Sequence, residues 1–252
     1  MSTVAEIWAE ARALIASGGG PAYLAATNKK TALSIFDNVP QVTCFTTCPI
    51  GAKCYDVHLM KLRPTVMRAR AQRHVLMLNE PAAYVRRVIA EIAATNVQMV
   101  RIFGGGDFAP RMTPMLTSVM AASPHRTFYM ISKTIRSFRS HALTLLDSPN
   151  FFLVLSEAQG FTFDEEWAGL KSHSRVNTSY TLMPNESDWG RAMLTDIVFN
   201  VSKRRANIDD YLEAGLPLCP CDAKQMPAVG ACGACRLCAT KGGVAHNERE
   251  RI

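Results

Sequence analysis

The sequence predicts an α/β fold built on a parallel sheet, and three observations carry that prediction. Six short apolar, β-branched or aromatic segments recur along the chain, helical stretches separate most of them, and polar residues or glycines gather where the segments end. The expected strands are TALSIF (31–36), VQMVRIF (97–103), TFYMIS (127–132), FFLVLS (151–156), RVNTSYTL (175–182) and DIVFNVS (196–202). Helices are expected over 64–78, 81–95, 110–122 and 135–147, with Val85, Val88, Ile89 and Ile92 forming one apolar face of the second. An open doubly wound sheet or a partial barrel would satisfy this order. The strand ends favour the barrel, because Gly104 to Asp107, Ser132 to Thr134, Ser156-Glu157, Asn177 to Tyr180 and Asn200 with Ser202-Lys203 would all collect at one face.

Before the first strand, Val4, Ile7, Trp8, Ala11, Leu14 and Ile15 fall at helical spacing, and Gly18 to Gly20 end that helix. Glu6, Glu10 and Arg12 interrupt any apolar run there, which argues against a secretory signal. No apolar stretch approaches the roughly 20 residues of a membrane helix. A cytoplasmic protein is therefore expected. Two parts follow from the pattern: residues 1–205 as a β/α barrel with its N-terminal helix, and residues 206–252 as a cysteine-rich segment packed on it.

The net charge is +7. Lys61, Arg63, Arg68, Arg70 and Arg73 follow one cysteine group and Lys203, Arg204 and Arg205 precede the other. A solvated face and a nucleic-acid footprint are equally weighted readings of these residues.

The cysteines are more informative. Eight fall in two groups separated by 164 residues: Cys44, Cys48 and Cys54, then Cys219, Cys221, Cys232, Cys235 and Cys238. Without an export signal, metal binding is a better explanation than disulfides. The first group has the spacing C-x3-C-x5-C on a loop after the first strand. Three thiolates from one loop suit a [4Fe-4S] cluster with an open iron, whereas structural zinc takes four protein ligands. In the second group two successive C-x2-C steps form a ferredoxin-like run, which Cys219 or Cys221 can close. The spare cysteine of that group can instead be the fourth ligand of the first cluster, and a four-cysteine zinc knob is the structural alternative. The six histidines form no metal-spaced pair, and Lys133 and Lys203 read as solvated lysines or as anion ligands at a barrel mouth.

With "CFTTC...CYD", "VRIFGGGDF", "FYMISKT" and a C-terminal cysteine-rich segment, the chain resembles the phage "gene product 88" family. More widely, a cysteine trio after the first strand and a glycine-rich acidic turn after the second resemble the radical S-adenosylmethionine (radical SAM) superfamily. That wider resemblance implies a partial (βα)6 TIM-like barrel, with Cys44, Cys48 and Cys54 as cluster ligands and S-adenosylmethionine on the open iron. It also implies cofactor contacts from the turn Gly104, Gly105, Gly106 and Asp107, and ribose contacts from Ser156 and Glu157. The sequence departs from the superfamily's C-x3-C-x2-C spacing, its aromatic Tyr55 follows Cys54, and Asp107 stands in place of a glutamate.

The leading expectation is thus a radical SAM-like enzyme with an auxiliary [4Fe-4S] cluster, acting on an unidentified substrate. It would draw electrons from a flavodoxin or ferredoxin, in the host cytoplasm if phage-encoded. An iron–sulfur protein without SAM chemistry is the second expectation, and a zinc-containing nucleic-acid-binding protein is the third.

Overall fold

The computed structural model describes residues 33–40, 54–163, 165–182, 189–200, 205–219 and 237–239, together with Glu6, Ala9 and Ala13 near the amino terminus. Glu6, Ala9 and Ala13 are helical and exposed, as the polar side of the expected first helix requires. The apolar positions of that helix lie outside the described residues.

Among the described residues six strands form one sheet: β1 (Ser34–Ile35), β2 (Met99–Ile102), β3 (Thr127–Ser132), β4 (Phe151–Ala158), β5 (Val176–Leu182) and β6 (Ile197–Asn200). Every neighbouring pair is parallel, and the spatial order is the chain order. Such an order never reverses its winding, so every crossover lands on the same side of the sheet. A doubly wound sheet needs a reversal and helices on both sides. The arrangement is the one that curves into a partial barrel.

The helices between strands are α1 (Tyr55–Leu62), α2 (Pro64–Asn79) and α3 (Pro81–Ala93) before β2, then α4 (Thr113–Ala121), α5 (Arg139–Leu146), α6 (Ala168–Lys171) and α7 (Gly190–Met193). A further helix, α8 (Arg205–Glu213), follows β6. Proline at the first position of α2 and α3 presets the helical φ where its missing N–H costs nothing. The expected helix over 110–122 opens as a 3-10 turn at Pro110–Met112, and the one over 135–147 divides at Phe138, whose φ of −140° lies outside the helical region.

Strand alternation sorts the side chains. Val100, Ile102, Phe128, Met130, Leu153 and Leu155 pack with Tyr84, Val88, Ile92, Leu116, Val119 and Leu145 of the helices in one core. In α3, Tyr84, Val88 and Ile92 are the buried stripe, while the expected Val85 and Ile89 pack partly buried at its margin. On the same face, Tyr180, Leu182 and Val198 pack with Ala192 of α7 and Ile208 and Tyr211 of α8. The expected division after residue 205 therefore falls inside an element that belongs to the helical layer of the sheet. No helix among the described residues is long and apolar enough to cross a membrane.

Candidate functional site

The carboxyl ends of β1 and β2 leave the sheet by the same turn. Ile35 and Ile102 are register partners, and the next residues, Phe36 and Phe103, both have positive φ, 59° and 61°. Bulky side chains rarely adopt that conformation, and it costs roughly 1–2 kcal/mol at each. Both rings are buried, and Phe36 lies edge-on to Tyr84 at 5.0 Å, so packing holds the turns in place.

What the two turns deliver is a polar core under the loops. Asp37, Asn38, Asp56, Arg70, Arg73, His74 and Asp107 are all buried. Asp56 stands two residues after Cys54, which caps the start of α1. Its carboxylate accepts from Arg70 Nη1 at 2.8 and 2.7 Å and from the Gly106 N–H at 3.3 Å. Burial pushes the Asp56 carboxyl up, and Arg70 opposes that rise. Asp37 accepts from the Gly104 N–H at 2.5 Å and from Ser34 Oγ at 3.0 Å. The Asn38 N–H donates to the Gly105 carbonyl at 2.9 Å, and its side-chain oxygen meets His74 Nδ1 at 3.1 Å. His74 Nε2 in turn lies 3.2 Å from Arg111 Nη2. Burial, with Arg111 adding to it, lowers the His74 pKa to about 4, so the ring is neutral.

These contacts explain the three glycines. A Cβ on Gly105 would lie 2.0 Å from Arg70 Nη1 and 2.2 Å from Asp56 Oδ2; one on Gly106, at φ 77°, would lie 2.4 Å from the Asn38 Cβ. The turn has no room for side chains: Ser34 and Asp37 fill the space at Gly104, the ion pair at Gly105 and Asn38 at Gly106.

Asp107 has its own set of donors. Its carboxylate accepts from the N–H groups of Phe108 (2.7 Å), Lys133 (3.0 Å) and Thr134 (3.2 Å) and from Ser132 Oγ at 2.5 Å. That ties the loop after β2 to the loop after β3. Ser156 and Glu157 lie on opposite faces of β4. Ser156 accepts from Lys133 Nζ, which also reaches Thr181 Oγ1 at 2.9 Å. With Asn177 and Ser179 of β5, these side chains form a polar row on the face away from the helices, buried except for part-buried Lys133, where the Ser179 hydroxyl has no hydrogen-bond partner among the described residues. Lys133 is therefore part of this row and not a solvated lysine. Glu157 is on the helical face and binds Arg191 Nε at 2.9 Å and Lys171 Nζ at 3.2 Å. Burial alone would raise its carboxyl, but Arg191, the Phe163 N–H and Lys171 hold it below the usual carboxylate range.

Two of the basic residues expected on a solvated face are interior. Arg63 and Arg68 are exposed, whereas Arg70 and Arg73 are buried because they share a helical face with Met67, Ala71 and His74. Periodicity at i, i+3, i+4 and i+7 was the signal for them, and their charge masks it.

Of the cysteines, Cys54, Cys219 and Cys238 are described, and Cys44, Cys48, Cys221, Cys232 and Cys235 lie outside the described residues, as do Lys203 and Arg204. Cys54 packs beside Val39, Val57, Met60 and Met67 at the strand ends. Cys219 follows Leu218, which bridges to Val198 at the β6 edge, and it is buried against Ile197. Cys238 lies in a 3-10 turn, Leu237–Ala239, on the face away from the helices. It packs against Met99, Tyr129, Ile131 and Phe152 and also against the Ile197 and Cys219 cluster. Among the described residues no group of three or more His, Cys, Asp or Glu side chains is placed to hold a metal ion.

No curated protein and no solved structure matches this chain. The family model described as gene product 88 matches residues 11–241, which takes in both cysteine groups, all six strands and the glycine turn. The chain belongs to the gene product 88 family.

Proposed function

We propose that this is an iron–sulfur protein with two [4Fe-4S] clusters. Cys44, Cys48 and Cys54 hold one at the carboxyl ends of the strands, and Cys232, Cys235 and Cys238 with Cys219 or Cys221 hold the other across the opposite face. The observation that carries the proposal is the approach of Cys219 and Cys238 to one spot. They are 19 positions apart in the chain, yet both pack against Ile197. An all-thiolate donor set fits such a cluster, which when bound supplies one-electron transfer. Met99, Tyr129, Ile131 and Phe152 form an apolar surround beside Cys238, and such a shell tunes a cluster's potential.

A radical SAM-like reaction is the finer form of this proposal. It is supported by the place of the glycine turn next to the helix that Cys54 begins, and by the polar row of Ser156, Ser179, Thr181 and Lys133 on the face of the sheet away from the helices. Iron, sulfide and zinc analysis of anaerobically purified protein tests the first form; electron paramagnetic resonance of the reduced protein, with and without S-adenosylmethionine, tests the second. About eight irons per chain are expected from two clusters of four, with a spectrum that changes on adding the cofactor. Iron without a spectral change leaves electron transfer as the function, and zinc in place of iron overturns both forms.

A further inference from the structure

The face of the sheet away from the helices changes character along its strands. Tyr129, Ile131, Phe152 and Ile197 make one part apolar. The other part is hydroxylic: strand alternation puts Ser156 of β4 on the same face as Ser179 and Thr181 of β5, and Ser156 and Ser179 are register partners. The Lys133 ammonium donates to the Ser156 and Thr181 oxygens.

This row holds more O–H donors than it has acceptors for. Each hydroxyl carries one proton to donate. Ser156 and Thr181 are 3.5 Å apart, so at most one of their two O–H groups is spent on the other. Ser179 is fully buried, and its hydroxyl has no hydrogen-bond partner among the described residues. A buried hydroxyl left unpaired is destabilising, and an acceptor brought in by a ligand would relieve it. The lysine is held from behind. Asp107 Oδ2 accepts from the Lys133 and Thr134 N–H groups at 3.0 and 3.2 Å, while Oδ1 accepts from the Phe108 N–H and Ser132 Oγ. Asp107 therefore fixes the lysine's backbone, and the side chain runs on to the hydroxyls of β4 and β5.

We infer that Lys133, Ser156, Ser179 and Thr181 form a binding site for an oxyanion, the phosphate or carboxylate group of a small ligand. The ammonium supplies charge and the unspent O–H groups supply donors, a combination complementary to an anion. Lys133 is the part-exposed member, so the ligand reaches the row beside it. The inference gives a ligand class to the polar row that supports the proposed function, and it needs neither cysteine set.

Equilibrium dialysis of the purified chain against radiolabelled inorganic phosphate and, separately, acetate tests it. Saturable binding of phosphate is expected for a phosphate-bearing ligand, and of acetate for a carboxylate. Lys133→Met should weaken that binding about tenfold or more, the effect of losing a charge-assisted hydrogen bond. Ser179→Ala should weaken it about twofold to tenfold while raising the melting temperature, because it removes an unpaired buried hydroxyl. Failure of both ions to bind overturns the inference, as does binding that both substitutions leave unchanged. A lower melting temperature in Ser179→Ala would give the hydroxyl a structural partner and overturn it too. Should Lys133→Met fail to fold, Ser179→Ala answers alone. Iron content is read separately, so loss of anion binding leaves the cluster proposal standing, and absence of iron leaves this site standing.

Discussion

The described cysteines all pack on apolar side chains, Cys54 beside Val39, Val57, Met60 and Met67, but the two regions differ in what surrounds that packing. At the carboxyl ends of the strands, Cys54 is next to a buried polar network of Asp37, Asp56, Arg70, Arg73 and neutral His74, in which Asp37, Asp56 and Arg70 press against Gly104 and Gly105. Across the sheet, Cys219 and Cys238 rest on Met99, Tyr129, Ile131, Phe152, Ile197 and Phe199, an apolar and aromatic bed. Charged networks fix direction and distance but are costly when incomplete; apolar beds exclude water and tolerate small changes of shape.

The strongest way to break the contrast is to leave a charge behind. Arg70→Met strands the Asp56 carboxylate in a buried site, and the expected loss is about 3–5 kcal/mol in unfolding free energy, measured by denaturant titration. A loss below about 1 kcal/mol would mean that water reaches Asp56 and that the network is not closed.

Next in size is the response to acid. Folded His74 titrates near 4 against an ordinary 6.5, so the unfolded chain binds the extra proton first. Stability from this group is complete above pH 6.5 and falls as the pH drops toward 4, by up to about 3 kcal/mol. His74→Gln should flatten that slope, and unfolding measured across the window checks it; an unchanged slope would place the titration elsewhere.

On the apolar side the expected effect is smaller and blind to pH. Ile197→Val removes one methylene from the bed of Cys219 and should cost about 0.5–1.5 kcal/mol equally at both ends of the same window. Smallest is a control remote from both regions. Gly169, exposed in α6 with nothing within 4 Å of an added Cβ, should gain about 0.5–1 kcal/mol as Gly169→Ala, read as a rise in melting temperature with no change in iron content.

The strands could be read from the sequence because parallel strands covered by helices are short, apolar and β-branched. TFYMIS coincides with β3, and FFLVLS begins β4, which runs two residues further. Sheet order was legible in part, since strand-end polarity favoured a singly wound sheet over a doubly wound one. The site was less legible. GGGD drew notice for a ligand, and the sequence does not show what crowds its glycines: Ser34 and Asp37 at Gly104, Asp56 and Arg70 at Gly105, and Asn38 at Gly106, all remote residues that no local pattern connects to the turn. Arg70 and His74 hid on an otherwise apolar helical face because charge is usually a sign of solvent. Ser156 and Glu157, adjacent in sequence, were read together although strand alternation sends them to opposite faces.

The central claim is that two separate thiolate sets hold two separate clusters. It is tested most directly by iron content in Cys54→Ser and Cys238→Ser, each purified anaerobically beside the wild type. The account predicts that each variant keeps about half of the wild-type iron and that the two losses add. Complete loss of iron in both, or no loss in either, would contradict it.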